Sequence, residues 1–184
     1  MQRVRREEIL DFETYSDARD AERERMFELK RPRRIHVGEH LTFLFENADT
    51  MRYQIHEMIR AERIVREAAI QHEIDTYNGL LGGPGELACT LLIEIEEAAE
   101  RDAKLVRWLK LPGTIYLRTR DGRQVFARYD AEQVGEERLS SVQYLTFPLE
   151  GSPPLAIGVG LDELRGEVEL SEEQRAALAE DLGS

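Results

Sequence analysis

The order of apolar and polar positions changes period several times along the chain, and each change marks an element. Over residues 16–30, Ala18, Glu22, Met26 and Leu29 recur at helical spacing among many charges, with Tyr15 ahead of them, which predicts a solvated amphipathic helix. It closes on Lys30, Arg31, Arg33 and Arg34 around Pro32, where cations complement the negative end of the helix and proline stops it. Alternation takes over in RRIHVGEHLTFLFEN. Ile35 pairs with Val37, and Leu41, Phe43 and Phe45 follow, with Gly38-Glu39 as a turn or bulge between two short strands or within one bent one. Asp49 or Thr50 then caps the longest periodic segment, a helix of about twenty residues over MRYQIHEMIRAERIVREAAIQHE, followed by a glycine-rich loop, DTYNGLLGGPGE.

LACTLLIEIE places Leu87, Cys89, Leu91, Ile93 and Ile95 on one face and Leu92, Glu94 and Glu96 on the other, the pattern of a strand with one wetter side. A helix over residues 97–110 follows and ends before Pro112-Gly113, with Val106, Trp108 and Leu109 available for packing. In GTIYLRTRDGRQVFARYD, Asp121-Gly122 between two alternating runs predicts a hairpin with a two-residue type I′ turn. VQYLTFPLE and LAIGVG read as further strands. In SEEQRAALAEDL, Ser171 with Gln174 three residues on forms a capping box that opens a final helix. The pattern predicts an α+β fold: a mostly antiparallel sheet packed against the long central helix, covered by N- and C-terminal helices. Without repeats or a long linker, residues 1–184 read as one domain.

Apolar residues make up 41% and charged residues 34%, which with this periodicity excludes a disordered chain. The net charge of −12 repels phosphate backbones and anionic lipid surfaces, so neither nucleic acid nor a membrane is an expected partner. Cys89 is the single cysteine, so no intrachain disulfide forms. The first residues carry charge but no apolar stretch, and no run approaches the roughly 18 apolar residues of a spanning helix; a cytoplasmic address is the expectation. The motifs HExxH, CxxC, GxSxG, Walker A and the Rossmann glycine fingerprint are absent. No glutamate lies three residues before any of the four histidines, so the di-iron helical bundle is excluded.

Winding the long helix places Met51, Ile55, Met58, Val65 and Ala69 on one stripe, with Glu62 near its middle. A carboxylate there must be paired, hydrogen-bonded or protonated. Gln54 and His72 flank one side of the stripe and Arg66 the other. Glu62 then reads as a metal ligand, a general base or an anchor for a cationic group, or else as half of an ion pair or a dimer contact. Tyr77 and Asn78, in the expected loop, complete a candidate pocket of Gln54, Glu62, Arg66, His72, Tyr77 and Asn78. For a metal, the candidate ligands are Glu62, His72, His36 and His40, too scattered to define a site. His56 falls on the polar side of the helix and is expected in solvent. The basic run from Lys30 to Arg34 suits either a helix C-terminus or a bound polyanion.

Taken in order, FLFENADTMRYQIHEMIRAERI, YNGLLGGPGELACTLLIEIE, SVQYLTFPLE and AALAEDL resemble the bacterial family catalogued as domain of unknown function 3501. The polar positions that match the family pattern are Gln54, Glu57, Arg60, Glu62, Tyr77, Asn78, Glu86 and Glu94. The family pattern tends to carry an Asp-His-Pro where this chain reads Gly158-Val159-Gly160-Leu161-Asp162, so that histidine is missing here. Members of that family are often encoded near rubrerythrin-like and iron–sulfur oxidoreductase proteins. The resemblance thus implies a non-catalytic accessory or interaction protein beside such a redox system, as a homodimer or with another protein partner. The alternative is a metal- or small-ligand-binding enzyme with its pocket centred on Glu62; neither reading specifies a cofactor.

Overall fold

The computed structural model describes residues 2–135 and 137–183. Asp11 opens the first helix, α1 (Phe12–Lys30), by accepting N–H bonds from Glu13 and Thr14, both at 3.0 Å, so the helix begins ahead of Ser16. A short turn through Pro32 leads into β1 (Arg34–Val37), which pairs antiparallel with β2 (Leu41–Glu46). Asn47, rather than Asp49 or Thr50, caps the next helix, α2 (Ala48–Glu62). Its side chain accepts from the Thr50 N–H at 3.0 Å, and the Thr50 hydroxyl accepts from the Asn47 N–H at 3.0 Å.

The long periodic segment is interrupted. Arg63 adopts a left-handed conformation, φ 51° and ψ 47°, and ends α2; a second helix, α3 (Glu67–Gly79), follows. The break lets two helices instead of one lay apolar stripes on a shared cluster, Met51, Ile55 and Ile59 from α2 with Ile70 and Ile74 from α3. Periodicity alone does not reveal the break, because the apolar spacing resumes almost in phase after it. α3 also runs through Tyr77 and Asn78, so those residues are helical rather than in a loop.

The remaining elements are β3 (Glu86–Ile93), α4 (Ala98–Arg107), β4 (Ile115–Thr119), β5 (Gln124–Phe126), β6 (Val142–Pro148), β7 (Pro154–Val159), β8 (Gly166–Glu169) and α5 (Glu172–Gly183). The α+β class holds, with the antiparallel strands divided between two sheets, ordered β1-β2-β3-β6 and β5-β4-β7-β8. Phe43, Phe45, Leu87 and Leu91 of the first sheet share one buried cluster with Ile115, Leu117, Ile157 and Val159 of the second, joined by Leu105, Trp108, Leu178 and Leu182. Each such side chain contributes roughly 1.5–3 kcal/mol on burial. β1 lies beside β8, and β6 meets the chain after β5 through a bridge between Arg128 and Thr146, so both flanks of the sandwich draw together. Its interior is filled by hydrocarbon, which leaves chemistry to the outer faces.

The hairpin at Asp121-Gly122 forms with a three-residue loop, not a type I′ turn. Thr119 N–H donates to Arg123 O at 3.0 Å, and Gly122 alone takes a positive φ of 82°. β8 has no apolar alternation in sequence because its outward residues are acidic; Glu167 and Glu169 pair with Arg118 from β4, across β7. The capping box at Ser171 and Gln174 forms as expected. Among the described residues no helix is long and apolar enough to cross a membrane.

Arg33, from the basic run, turns inward. Its guanidinium grips Asp181 of α5 with two bonds of 2.8 and 2.9 Å and donates to Leu29 O at 2.9 Å, while Asn47 Nδ2 donates to the same carboxylate at 3.0 Å. Both members of the pair have side chains only 4% exposed. His56 is buried as well, because residues 4–10 fold back over α2: its Nε2 accepts the Leu10 N–H at 2.9 Å and its ring stacks on Tyr15 at 4.5 Å. Burial, with Arg52 beside it, pulls the His56 pKa from 6.5 down to about 4.

Two outcomes follow. Arg33→Met leaves a buried carboxylate without its cation and should lower the urea-unfolding free energy by about 3–5 kcal/mol, whereas Arg33→Met with Asp181→Leu should lose markedly less; equal losses would assign the effect to packing. His56 is held neutral, so its contribution is present above pH 6.5 and lost as pH falls towards 4. Parent protein should therefore lose roughly 3 kcal/mol more than His56→Gln between pH 7 and pH 4, and parallel stability curves would refute that assignment.

Candidate functional site

Strand alternation sends every second residue of the first sheet away from the sandwich interior. The register sets Arg34, Leu44, Thr90 and Tyr144 in one row across all four strands on that outer face, with Glu46 in the adjoining row. α2 and α3 cover only the end of the face near Ala88. Between the helices, the C-terminus of α1 and the strand row lies a cleft of about 310 Å³, with Lys30, Arg34, Glu46, Gln54, Tyr77 and Tyr144 in its walls.

Glu46 is the distinctive member. It ends β2 one residue before the Asn47 cap, and it is 7% exposed. Thr90 Oγ1 donates to its Oε1 at 2.8 Å, and the Thr50 side chain lies beside it. Burial raises its pKa above the ordinary carboxylate value, against the opposing pull of the two threonines and of Lys30 and Arg34. Lys30 sits 5.2 Å over the Tyr53 ring, and burial lowers its pKa. Burial also raises the Tyr77 hydroxyl pKa, with Gln54 beside it. The arrangement offers a carboxyl whose burial favours its protonated form, two cations, an amide and two phenols around one void. Beneath it, on the opposite face of β3, Cys89 is fully enclosed and its thiol pKa is pushed well up by burial, so it is inert.

Of the residues singled out from sequence, Gln54 and Tyr77 meet in this cleft. Glu62, Arg66 and His72 are exposed: the left-handed turn at Arg63 ends the apolar stripe at Ile59 and puts Glu62 in solvent, not in the core. Asn78 holds the N-terminal segment, accepting from Val4 N–H and donating to Val4 O, both at 2.9 Å. His36 meets the Thr42 hydroxyl at 2.8 Å, while His40 lies against Lys104 at 2.6 Å and Trp108. Among the described residues no three His, Cys, Asp or Glu side chains converge on a metal-sized point.

The other family-pattern positions are also accounted for. Glu57 accepts from Tyr15 at 2.7 Å and from Arg19 through two bonds of 2.8 Å, locking α1 to α2. Glu86 accepts the Gly83 N–H at 2.9 Å and pairs with Arg128, Glu94 accepts from Thr42, and Arg60 is exposed. Lys30 and Arg34 enter from sequence only as members of the basic run, apart from any pocket, and Glu46, Thr90 and Tyr144 do not stand out there at all. The available signal was the charged residue that ends LTFLFE, on the same strand face as Leu44.

A model of the family described as protein of unknown function (DUF3501) matches residues 3–182. A crystal structure of a protein of unknown function from Burkholderia pseudomallei K96243 is similar at 32% identity and a TM-score of 0.90, covering 98% of this chain and 100% of that one. No curated protein matches.

Because the pKa of Glu46 is raised in the fold, the folded state keeps this proton after the unfolded chain has lost it, and stability falls as pH rises above the ordinary carboxylate value. Glu46→Gln removes that loss. Urea unfolding should show the variant gaining on the parent between pH 5 and pH 8; a gap that stays constant would place an ordinary carboxylate at this position.

Proposed function

Since the chain belongs to the DUF3501 family, whose description names no activity, we propose from its geometry that it is a cytoplasmic, single-domain small-molecule-binding protein working through the Glu46 cleft. The observation that carries this reading is a buried carboxyl in the wall of a void, bonded to the Thr90 hydroxyl and, among the described residues, without an ion-pair partner. A carboxylate buried only for architecture is ordinarily paired, as Asp181 is, because an isolated buried charge costs several kcal/mol, roughly, after relaxation. Kept neutral, Glu46 donates a hydrogen bond or a proton to a bound molecule, the role of a general acid with a raised pKa. The volume lies at the lower end of the range of about 300–1,000 Å³ for small-ligand sites. The centre of the pocket thus moves from Glu62 to Glu46, and Gln54 and Tyr77 stay in it.

A second reading keeps the chain as a non-catalytic accessory of a rubrerythrin or iron–sulfur system, acting as a homodimer. Its support is the exposure of Val142 and Tyr144 on β6, an edge strand of the first sheet, and of Tyr129 on the segment after β5 that bridges it. These aromatic and aliphatic groups suit a protein contact more than bulk water.

A thermal-shift screen of small organic metabolites separates the two. A ligand at a hundred times its Kd stabilises the fold by about 2.7 kcal/mol. Its shift should disappear in Gln54→Leu and Thr90→Val and persist in Glu62→Gln. Shifts that survive both cleft substitutions, or no shift at all alongside a dimer in native mass spectrometry that Tyr144→Asp dissociates, would favour the accessory reading.

A further inference from the structure

The basic run from Lys30 to Arg34 divides into two pairs. Arg33 is spent on Asp181, and Arg31 pairs with Glu173 and Glu28. Lys30 and Arg34 have no carboxylate within ion-pair distance among the described residues, although the chain carries 37 acidic residues against 25 Lys and Arg. A lone guanidinium in so acidic a protein is not explained by a shortage of partners. Both unpaired cations line the Glu46 cleft and also an adjoining hollow of about 280 Å³ that Phe27 and His36 complete, so they stand between two open spaces. The same cleft is also walled by Leu44, the cross-strand neighbour of Arg34, and by Leu80, Leu92, Tyr77 and Tyr144, a lining suited to a flat apolar body.

We infer that the molecule bound in this cleft is a small organic anion, its carboxylate or phosphate head held by Lys30 and Arg34 and its planar body lying along Leu44 and Tyr144 towards Glu46. The inference rests on the cleft being a small-molecule site. Arg34 supplies a planar fork of donors that matches either head group, and Lys30 a point charge. Among the described residues Glu46 is the one acidic side chain in the cleft wall, and in its protonated form it adds no repulsion and has a proton to donate to a polar atom of the ligand.

Three probes with a common ring distinguish the possibilities: benzoate, phenyl phosphate and the neutral benzamide, each titrated by calorimetry and by amide NMR shifts of the cleft residues. At least one anion should bind with shifts at Thr90 and Tyr144. Arg34→Met should weaken it roughly ten- to a hundredfold, as loss of a charge-assisted contact does, while Arg31→Met leaves it unchanged. Whichever anion binds more tightly assigns the head as carboxylate or phosphate ester. Benzamide binding the cleft as tightly as benzoate would overturn the anion assignment and leave the small-molecule site standing. Anion binding indifferent to both Arg34→Met and Lys30→Met would also overturn it. If no probe moves any cleft resonance, the anion assignment and the cleft reading fall together.

Discussion

The buried pair of Arg33 and Asp181 is the constraint on which the rest of the arrangement hangs. It ties the turn between α1 and β1 to the last helix, and through Asn47 it reaches the start of α2. Removing two charges from water is costly, and the two-bond geometry together with the Asn47 amide is what offsets it. A pairing so dependent on geometry tolerates little displacement. The position of Arg33 fixes its neighbours in sequence: with the guanidinium held inward, Lys30 and Arg34 are left at the mouth of the cleft. Asn47 likewise fixes Glu46, the residue before it. One interaction remote from any ligand thereby sets three of the groups that line the cleft.

The separation of inner and outer faces explains why polar function gathers where it does. The interior of the sandwich is closed by apolar side chains from both sheets, so a polar group there would lack partners. The outer face of the first sheet is only half covered, because α2 and α3 pack at one end of it. At the boundary between covered and bare sheet a carboxyl can be shielded from bulk water and still reach a void, and Glu46 occupies that boundary. Burial then makes the carboxyl resist ionisation, whereas the same residue on the bare part of the sheet would ionise as usual.

Much of this was legible in the chain. Leu87, Cys89, Leu91 and Ile93 alternate cleanly because one face of β3 meets the interior, and Ser171 with Gln174 marks the last helix through purely local bonds. The polar residues of the family pattern did point to real contacts, yet most of those contacts are architectural: Asn78 fastens the N-terminal segment and Glu57 joins α1 to α2. What stayed hidden depended on tertiary placement. The turn at Arg63 is a backbone event at a residue with no special preference for it, and it reversed the assignment of Glu62. His56 looked solvated because the segment that covers it comes from more than forty positions earlier, as its contact with Leu10 shows. Glu46 was masked by its place at the end of a strand, where a charge ordinarily faces water.

Cys89 adds a different consequence. Its sulfur lies in the shared core between the sheets, 2% exposed, on the strand that carries Thr90 of the cleft. No thiol reagent reaches it unless β3 parts from its neighbours, and no second cysteine competes for the reagent. The rate at which this one thiol is trapped in native buffer is thus a clock for opening of the central sheet, built into the chain without labelling. Read with and without a cleft occupant, it converts binding on the outer face into a measured change in how often the inside is exposed.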